Sequence, residues 1–151
     1  MSDVLSFNNP VFSQFAFYSG VVLCKTLIMG PATSFFRMKN ETFSNEEDCK
    51  LSKDKSLKPK FNDATVERIR RCHQNDLENN IPFLLIGLLY VASEPYENVA
   101  LYLFRTFAAA RLLHTVAYLT PLPQPTRALC FMVGVGVNGL MLFRAFTQAQ
   151  Y

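Results

Sequence analysis

The chain of 151 residues carries a formal net charge of +3, and half of its residues are hydrophobic although the mean hydropathy is only +0.11. One domain covering residues 1–151 fits this length, and so small a net charge argues against a nucleic-acid partner. The four cysteines form neither a CxxC pair nor another metal-binding spacing, so we expect no metal site.

The low mean hydropathy conceals a segregation of apolar runs from charged stretches. A bilayer span takes about 20 residues, and four windows of that kind lie at about residues 11–36, 66–93, 99–119 and 126–146, with a polar loop at residues 37–65. We therefore expect an all-α integral membrane protein that folds as a four-transmembrane-helix bundle. The first window lacks the basic n-region of a signal peptide, so we expect this span to be retained.

The first span contains Lys25 as its one ionisable residue. A lysine inside a span either snorkels to the interface or pairs with a neighbouring helix, and we expect one of these structural roles. Pro31 is expected to bend or end the regular part of the helix.

The polar loop is mixed in charge, and we expect a short helix near residues 45–51. Cys49 lies in this loop, so the sequence predicts that it is the accessible thiol. An inert loop cysteine and a regulatory thiol both fit this position. Asp63 is a plausible N-cap for the next helix.

The second span begins with a polar stretch that runs directly into an apolar segment. Arg71, Asn75 and Glu78 are four and three residues apart, so they share one helix face, with Arg70 and His73 on the adjacent stripe. Such a face offers cations for carboxylates and an acid for an amine, which predicts a ligand site. The alternative is a charged collar that only meets lipid head groups.

The third span carries ionisable residues that the membrane penalises unless they are paired or solvated. We expect Arg105 to form a buried ion pair with an acid on the second span. Arg111 and Tyr118 repeat the spacing of the second span and are expected to contact a ligand. His114 is read as a hydrogen-bonded core histidine rather than as a base.

The fourth span follows a proline-rich turn at residues 120–125 that cannot be helical. Arg127 opens this span. Gly134, Gly136 and Gly139 are interpreted as small residues for close helix packing rather than as a nucleotide loop, because no strand precedes them.

The distribution of charge predicts the topology. Basic residues crowd the connection between spans one and two and are missing from the next connection, so the first is expected to be cytosolic and both termini lumenal. The span ends with Arg37, Arg71, Tyr118 and Arg127 then converge on the cytosolic side. The sequon at Asn40 should consequently carry no sugar.

Three motifs resemble the membrane-associated eicosanoid and glutathione metabolism (MAPEG) family, and within it the membrane-bound glutathione transferases. The likeness runs from Phe15 to the C-terminus. The motifs are Asn45-x-Glu47-Asp48-Cys49, Val66-Glu67-Arg68-x-Arg70-Arg71-x-His73-x-Asn75-Asp76-x-Glu78-Asn79 and Arg111-x-x-His114-Thr115-x-Ala117-Tyr118-Leu119-Thr120-Pro121-Leu122-Pro123-Gln124-Pro125-x-Arg127.

This resemblance implies a homotrimer with glutathione sites between neighbouring subunits, open to the cytosolic side of the endoplasmic reticulum membrane or of the outer mitochondrial membrane. It also implies that Cys49 is a regulatory thiol. The implied glutathione contacts are Arg37, Arg70, Arg71, His73, Asn75, Glu78, Arg111, Tyr118 and Arg127.

Glutathione would be the co-substrate. A free thiol has a pKa of about 8.5, and a nearby guanidinium favours its thiolate. We expect Arg127 to fill that role, with Tyr118 as a hydroxyl donor. The thiolate would attack lipophilic electrophiles or lipid hydroperoxides that arrive through the membrane lipids, with no metal and no protein nucleophile.

Two alternatives remain at this point. One is a glutathione-dependent eicosanoid isomerase of the prostaglandin E synthase type, which in the family has a serine and an aromatic hydroxyl where this chain has Ala128 and Phe131, and an arginine where it has Gln74. The other is a non-catalytic lipid-binding scaffold, which would not need to keep the full set of glutathione ligands.

Overall fold

The computed structural model describes residues 4–50, 52 and 54–149. This part of the chain is helical throughout, apart from turns and loops, and no strand occurs in it. The helices are α1 (Pro10–Lys39), α2 (Glu46–Cys49), α3 (Ala64–Ala92), α4 (Glu97–Leu119) and α5 (Thr126–Gln148).

Each long helix covers one of the four expected windows to within a few residues. Helix α1 begins at a proline in its first turn, where the missing N–H is not needed, and the side chain of Asn9 caps it by accepting from Val11 N at 2.9 Å. Of the two effects expected of Pro31, ending the helix is excluded, because α1 continues to Lys39. A proline inside a membrane helix is tolerated when its surroundings satisfy the freed carbonyl.

Helices α1 and α5 are the described segments that are long and apolar enough, by length and composition, to cross a membrane. Both turn large apolar side chains outward, for example Leu27 and Phe143, as a lipid-facing surface requires. Helices α3 and α4 interrupt their apolar sequence with ionisable residues, which is why they fall short of the same criterion. Four spans therefore remain a prediction.

The helices pack as a ring of four. Helix α1 packs against α3 and α4, and α5 packs against the same two helices, whereas α1 and α5 do not meet within the part of the chain described. The core is rich in aromatic rings. The rings of Phe83 and Phe107 are stacked with centroids 3.9 Å apart, and the ring centroids of Phe15 and Phe104 are 5.4 Å apart.

One glycine allows two helices to approach closely. A Cβ at Gly87 would lie 2.2 Å from the Phe15 ring, so only glycine fits between α1 and α3 there. A Cβ at Gly134 would lie 3.6 Å from the Phe107 ring, which is an ordinary van der Waals contact, so a larger residue is not excluded there. The packing role expected for Gly136 and Gly139 is not seen within the chain, where both face open space.

Side-chain hydrogen bonds join the two ends of the loop between α1 and α3. Asp63 caps α3 as expected, accepting from Thr65 N at 3.0 Å and from Val66 N at 2.9 Å. Asn40, the C-cap that follows α1, donates to both oxygens of the same carboxylate at 3.1 Å. Helix α2 confirms the short helix expected in this loop, and its expected end at Leu51 lies outside the described residues.

Candidate functional site

Tyr118 lies where four helices pack together at one end of the bundle. It belongs to the last turn of α4 and packs on a cluster of Met29, Ile69 and Cys72, contributed by α1 and α3. The guanidinium carbon of Arg127, from the first turn of α5, lies 4.8 Å from the centre of the Tyr118 ring. The turn at residues 120–125 makes this possible, because it folds α5 back against the end of α4. The structure thus brings together the two residues expected to carry catalysis.

The side chain of Arg127 is held in place by this contact. A guanidinium over an aromatic face is an attractive cation–π pair. Its Nε atom is buried and has no hydrogen-bond partner among the described residues. A buried donor without a partner costs free energy, so the single chain leaves this part of Arg127 unsatisfied.

Arg68 belongs to the same junction, although the sequence interpretation did not single it out. Its Nη1 atom donates to the backbone oxygen of Tyr118 at 3.3 Å. This oxygen is one of the last carbonyls of α4, which lack a partner within their own helix. The spacing of Arg68, Cys72 and Asp76 could have revealed the stripe, since residues four apart share a helix face.

The polar face of α3 separates into exposed and half-buried residues. Arg71 and Glu78 are exposed, and Asn75 is half-buried. Glu78 accepts from Gln74 at 3.2 Å. The expected ligand face therefore points away from the interior of the single chain, with only Asn75 reaching toward it.

Arg70 and His73 lie on either side of that face. Arg70 is exposed and forms an ion pair of 2.8 Å with Glu67, one turn earlier. His73 is half-buried and points at α1, where a Cβ on Gly30 would lie 3.8 Å from its ring. Arg37, in the last turn of α1, is half-buried, and its carbonyl accepts from Thr42 N at 2.9 Å.

Asp76, which the sequence interpretation left without a role, is among the most buried polar groups of the described residues. Its Oδ1 atom accepts from Arg111 Nη2 at 2.9 Å, and neither side chain is exposed. Lys25 donates to the same oxygen and to Thr115 Oγ1 at 2.8 Å. Lys25 is thus a packing partner between helices, as one of its two expected roles required, and it does not snorkel.

Arg111 also reaches toward the ligand face. The same Nη2 donates to Asn75 Oδ1 at 2.8 Å, while Nε and Nη1 are buried without a partner among the described residues. His114 is buried, with Nδ1 3.4 Å from Arg111 Nη2, which agrees with a core histidine. A single arginine therefore links the buried carboxylate to the half-buried Asn75.

Two expectations about individual side chains were wrong. Arg105 does not form a buried ion pair: it is exposed and donates to the hydroxyl of Tyr18 at 3.1 Å, because Phe104 and Phe107 occupy the core face of α4. Cys49 is not the accessible thiol, since its residue is only 6% exposed. The short helix α2 turns Cys49 inward, and the exposed cysteine is Cys24 on α1.

The sequence is similar to those of known proteins over most of its length. The MAPEG family model matches residues 15–147. Human microsomal glutathione S-transferase 1 is 48% identical over 146 residues, which is 95% of this chain and 94% of the relative, and the rat protein of that name is 48% identical over 147 residues, with the same shares.

More distant relatives carry another name. Bovine prostaglandin E synthase is 36% identical over 124 residues, which is 82% of this chain and 80% of the relative. The family match contains the Tyr118–Arg127 junction, the polar face of α3 and the buried Asp76 cluster. Since it covers most of the sequence, the chain belongs to the MAPEG family.

Proposed function

We propose that this protein is a membrane-bound glutathione transferase that joins the thiolate of glutathione to lipophilic electrophiles. The observation that carries the proposal is the guanidinium of Arg127 over the ring of Tyr118, with a buried N–H that has no partner among the described residues. The names of the relatives that are 48% identical support the same activity.

The chemistry follows from the charge at this junction. Only a few per cent of a thiol with a pKa of about 8.5 is ionised at neutral pH. Each unit by which the pKa falls corresponds to about 1.4 kcal/mol in favour of the thiolate. In a partly desolvated site Arg127 supplies this preference, and the hydroxyl of Tyr118 donates to the sulfur. The sulfur then attacks the electrophilic carbon, a C–S bond forms, and the leaving group departs.

A second activity uses the same thiolate. It attacks an oxygen of a lipid hydroperoxide, the O–O bond breaks, and the lipid alcohol leaves with a proton. A second glutathione then reduces the resulting sulfenic acid, giving the disulfide and water. Neither sequence of steps needs a metal or a nucleophile from the protein.

The tripeptide would be held by the polar face of α3 and its neighbours. Arginine suits carboxylates because its planar fork donates two parallel hydrogen bonds, and Glu78 suits the ammonium group. Arg111 would contribute through Asn75, whose side-chain oxygen it already holds. The proposed binding residues are Arg37, Arg70, Arg71, His73, Asn75, Glu78, Arg111 and Tyr118.

The exposed polar face of α3 fits a site completed by a neighbouring subunit in a homotrimer. We place the protein as a multi-pass protein in the endoplasmic reticulum membrane, and also in the outer mitochondrial membrane, with this site on the cytosolic side. Glycosylation mapping tests the topology, because a cytosolic Asn40 stays bare whereas a sequon fused before the first residue is modified.

Turnover by the purified protein tests the activity. Wild type and Arg127→Ala are given glutathione with an aryl halide, and the thioether is measured by mass spectrometry. Thioether from wild type and a large loss in the variant support the transferase. Conversion of a prostaglandin endoperoxide without thioether would support the isomerase instead. Ala128 and Phe131 offer no hydroxyl for that reaction. Glutathione binding that is absent altogether would indicate a lipid scaffold.

A further inference from the structure

A second cavity lies at the same end of the bundle and differs from the glutathione face in character. Its volume is about 430 Å³, and it is lined by α1, the beginning of α3, the end of α4 and the turn that follows. This volume falls within the range of about 300–1,000 Å³ that is usual for small-molecule sites. Most of its wall is apolar, including Met29, Phe36, Ile69 and Leu119.

One cation projects into this apolar cavity. Arg68 is the single ionisable residue among the described residues that line it. It donates one hydrogen bond, to the backbone oxygen of Tyr118, and no carboxylate of the described chain pairs with it. A guanidinium has five N–H donors, so most of its hydrogen-bonding capacity is left for a ligand.

The combination selects one class of ligand. Glutathione is polar along its whole length and would lose its hydration against an apolar wall. A neutral lipid would leave the guanidinium of Arg68 without an anion. A phospholipid brings two chains and a bulky head group into a cavity of single-ligand size. A single apolar chain that ends in a carboxylate satisfies both the wall and the cation, since a carboxylate matches the guanidinium fork.

We infer that this cavity binds the carboxylate end of a long-chain fatty acid, with Arg68 on the carboxylate and the chain against the apolar wall. The position of the cavity suits this ligand, because it lies where α1 ends and α3 begins, beside the loop of residues 40–63. An amphiphile at a membrane surface holds its charged group at that level and its chain toward the lipid. The cavity adjoins the proposed catalytic junction through the hydrogen bond from Arg68 to the backbone oxygen of Tyr118, but its occupancy does not require thiolate formation.

Direct binding tests the inference, with glutathione left out. The protein is placed in nanodiscs of phosphatidylcholine, and the fluorescence of cis-parinaric acid is compared with that of its methyl ester, with empty nanodiscs subtracted. We expect the acid to bind wild type about tenfold more tightly than the ester, as one charge-assisted hydrogen-bonded pair implies. Arg68→Gln should weaken binding of the acid by a similar factor and leave binding of the ester unchanged.

Three further variants make the outcome specific. Arg68→Lys keeps the charge without the fork and should retain part of the preference for the acid. Arg144→Gln removes one cation from the opposite end of the bundle and should change the affinity for neither probe. Ala32→Leu fills the cavity from α1 and should weaken binding of the acid and of the ester alike. This variant remains informative if changes at Arg68 reduce thermal stability.

Equal affinity of acid and ester for wild type would overturn the inference. So would an Arg68→Gln protein that is folded and binds the acid as well as wild type does. Binding of neither probe would mean that protein or bilayer lipid fills the cavity, which also overturns it. Because no glutathione is present, loss of the proposed transferase activity would leave these results unaffected, so the two failures can be told apart.

Discussion

Arg111 Nη2 lies 2.9 Å from Asp76 Oδ1 in a part of the bundle where neither side chain is exposed. Lys25 donates to the same oxygen, so two cations from α1 and α4 share one carboxylate of α3. Charged groups at this depth are costly unless they are paired. The cluster therefore fastens three helices to one another, and through Asn75 it reaches the proposed glutathione face.

Removing the shared carboxylate should greatly lower the stability of the bundle. Asp76→Asn leaves Lys25 and Arg111 buried with one neutral partner, and breaking a buried pair costs about 3–5 kcal/mol. We expect a correspondingly large fall in the free energy of unfolding, measured by denaturation in detergent. Glu67→Gln is the matched control, since its pair with Arg70 is partly exposed and should contribute at most about 1 kcal/mol. Equal stability of both variants would show that the buried cluster does not fasten the helices.

Close packing at Gly87 gives a second prediction. The Cβ of Gly87→Ala would lie 2.2 Å from the ring of Phe15, which is itself enclosed by other aromatic rings. Overpacking of this kind costs about 1–3 kcal/mol. Gly136→Ala enters open space and should be neutral or stabilising, since alanine is the better helix former by about 1 kcal/mol. Thermal unfolding of the two variants compares them directly, and an unaffected Gly87→Ala protein would contradict the packing described.

The pH dependence of the α3 cap follows from Asp63. The hydrogen bond from Val66 N lowers the pKa of its carboxyl below the ordinary value, with further contributions from Asn40, Thr65 and Lys60. The carboxylate therefore stabilises the fold above the unfolded pKa, and this contribution is lost as the pH falls through the lower folded value.

Amide hydrogen exchange at Thr65 and Val66 measures this effect. We expect exchange at the two amides to accelerate in acid, relative to amides deeper in α3. Asp63→Asn keeps a capping side chain and removes the titration, so its exchange should lose the extra acid dependence. A wild-type cap that is equally protected on both sides of the transition would refute the assignment.

Burial of Cys49 predicts how the proposed regulatory thiol reacts. At 6% exposure it should be alkylated by a water-soluble maleimide more slowly than a free thiol, at a rate set by opening of the loop around α2. If the thiol is regulatory, transferase activity rises as the label appears on Cys49. Cys49→Ala should show no rise, and an equal response in that variant would remove Cys49 from the regulation.

Local patterns in the sequence predicted the local structure well. The four hydrophobic windows and the cap at Asp63 follow from rules that concern one helix or one residue at a time, whereas for Lys25 the same rules left snorkelling and packing open. The spacing of residues along α3 also identified which of them share a face.

What the sequence could not supply is the identity of the neighbour that each face meets. Asp76 is one of several acids in α3, and only the packing of α1 and α4 makes it the shared partner of Lys25 and Arg111. Arg105 was assigned to the interior because position along a span does not determine orientation. Cys49 was assigned to the surface because its neighbours are polar, although a short helix can turn one side chain inward.

The most direct measurement is the ultraviolet absorbance of glutathione thiolate during titration of the purified protein, with Arg127→Ala and Arg144→Ala compared at equal concentration. Both variants remove one arginine from α5, but only Arg127 lies over Tyr118. A saturable thiolate signal in wild type and Arg144→Ala that disappears in Arg127→Ala is the expected result. An unchanged signal in Arg127→Ala, or glutathione binding without thiolate in wild type, would contradict the assignment of Arg127 as the activating cation.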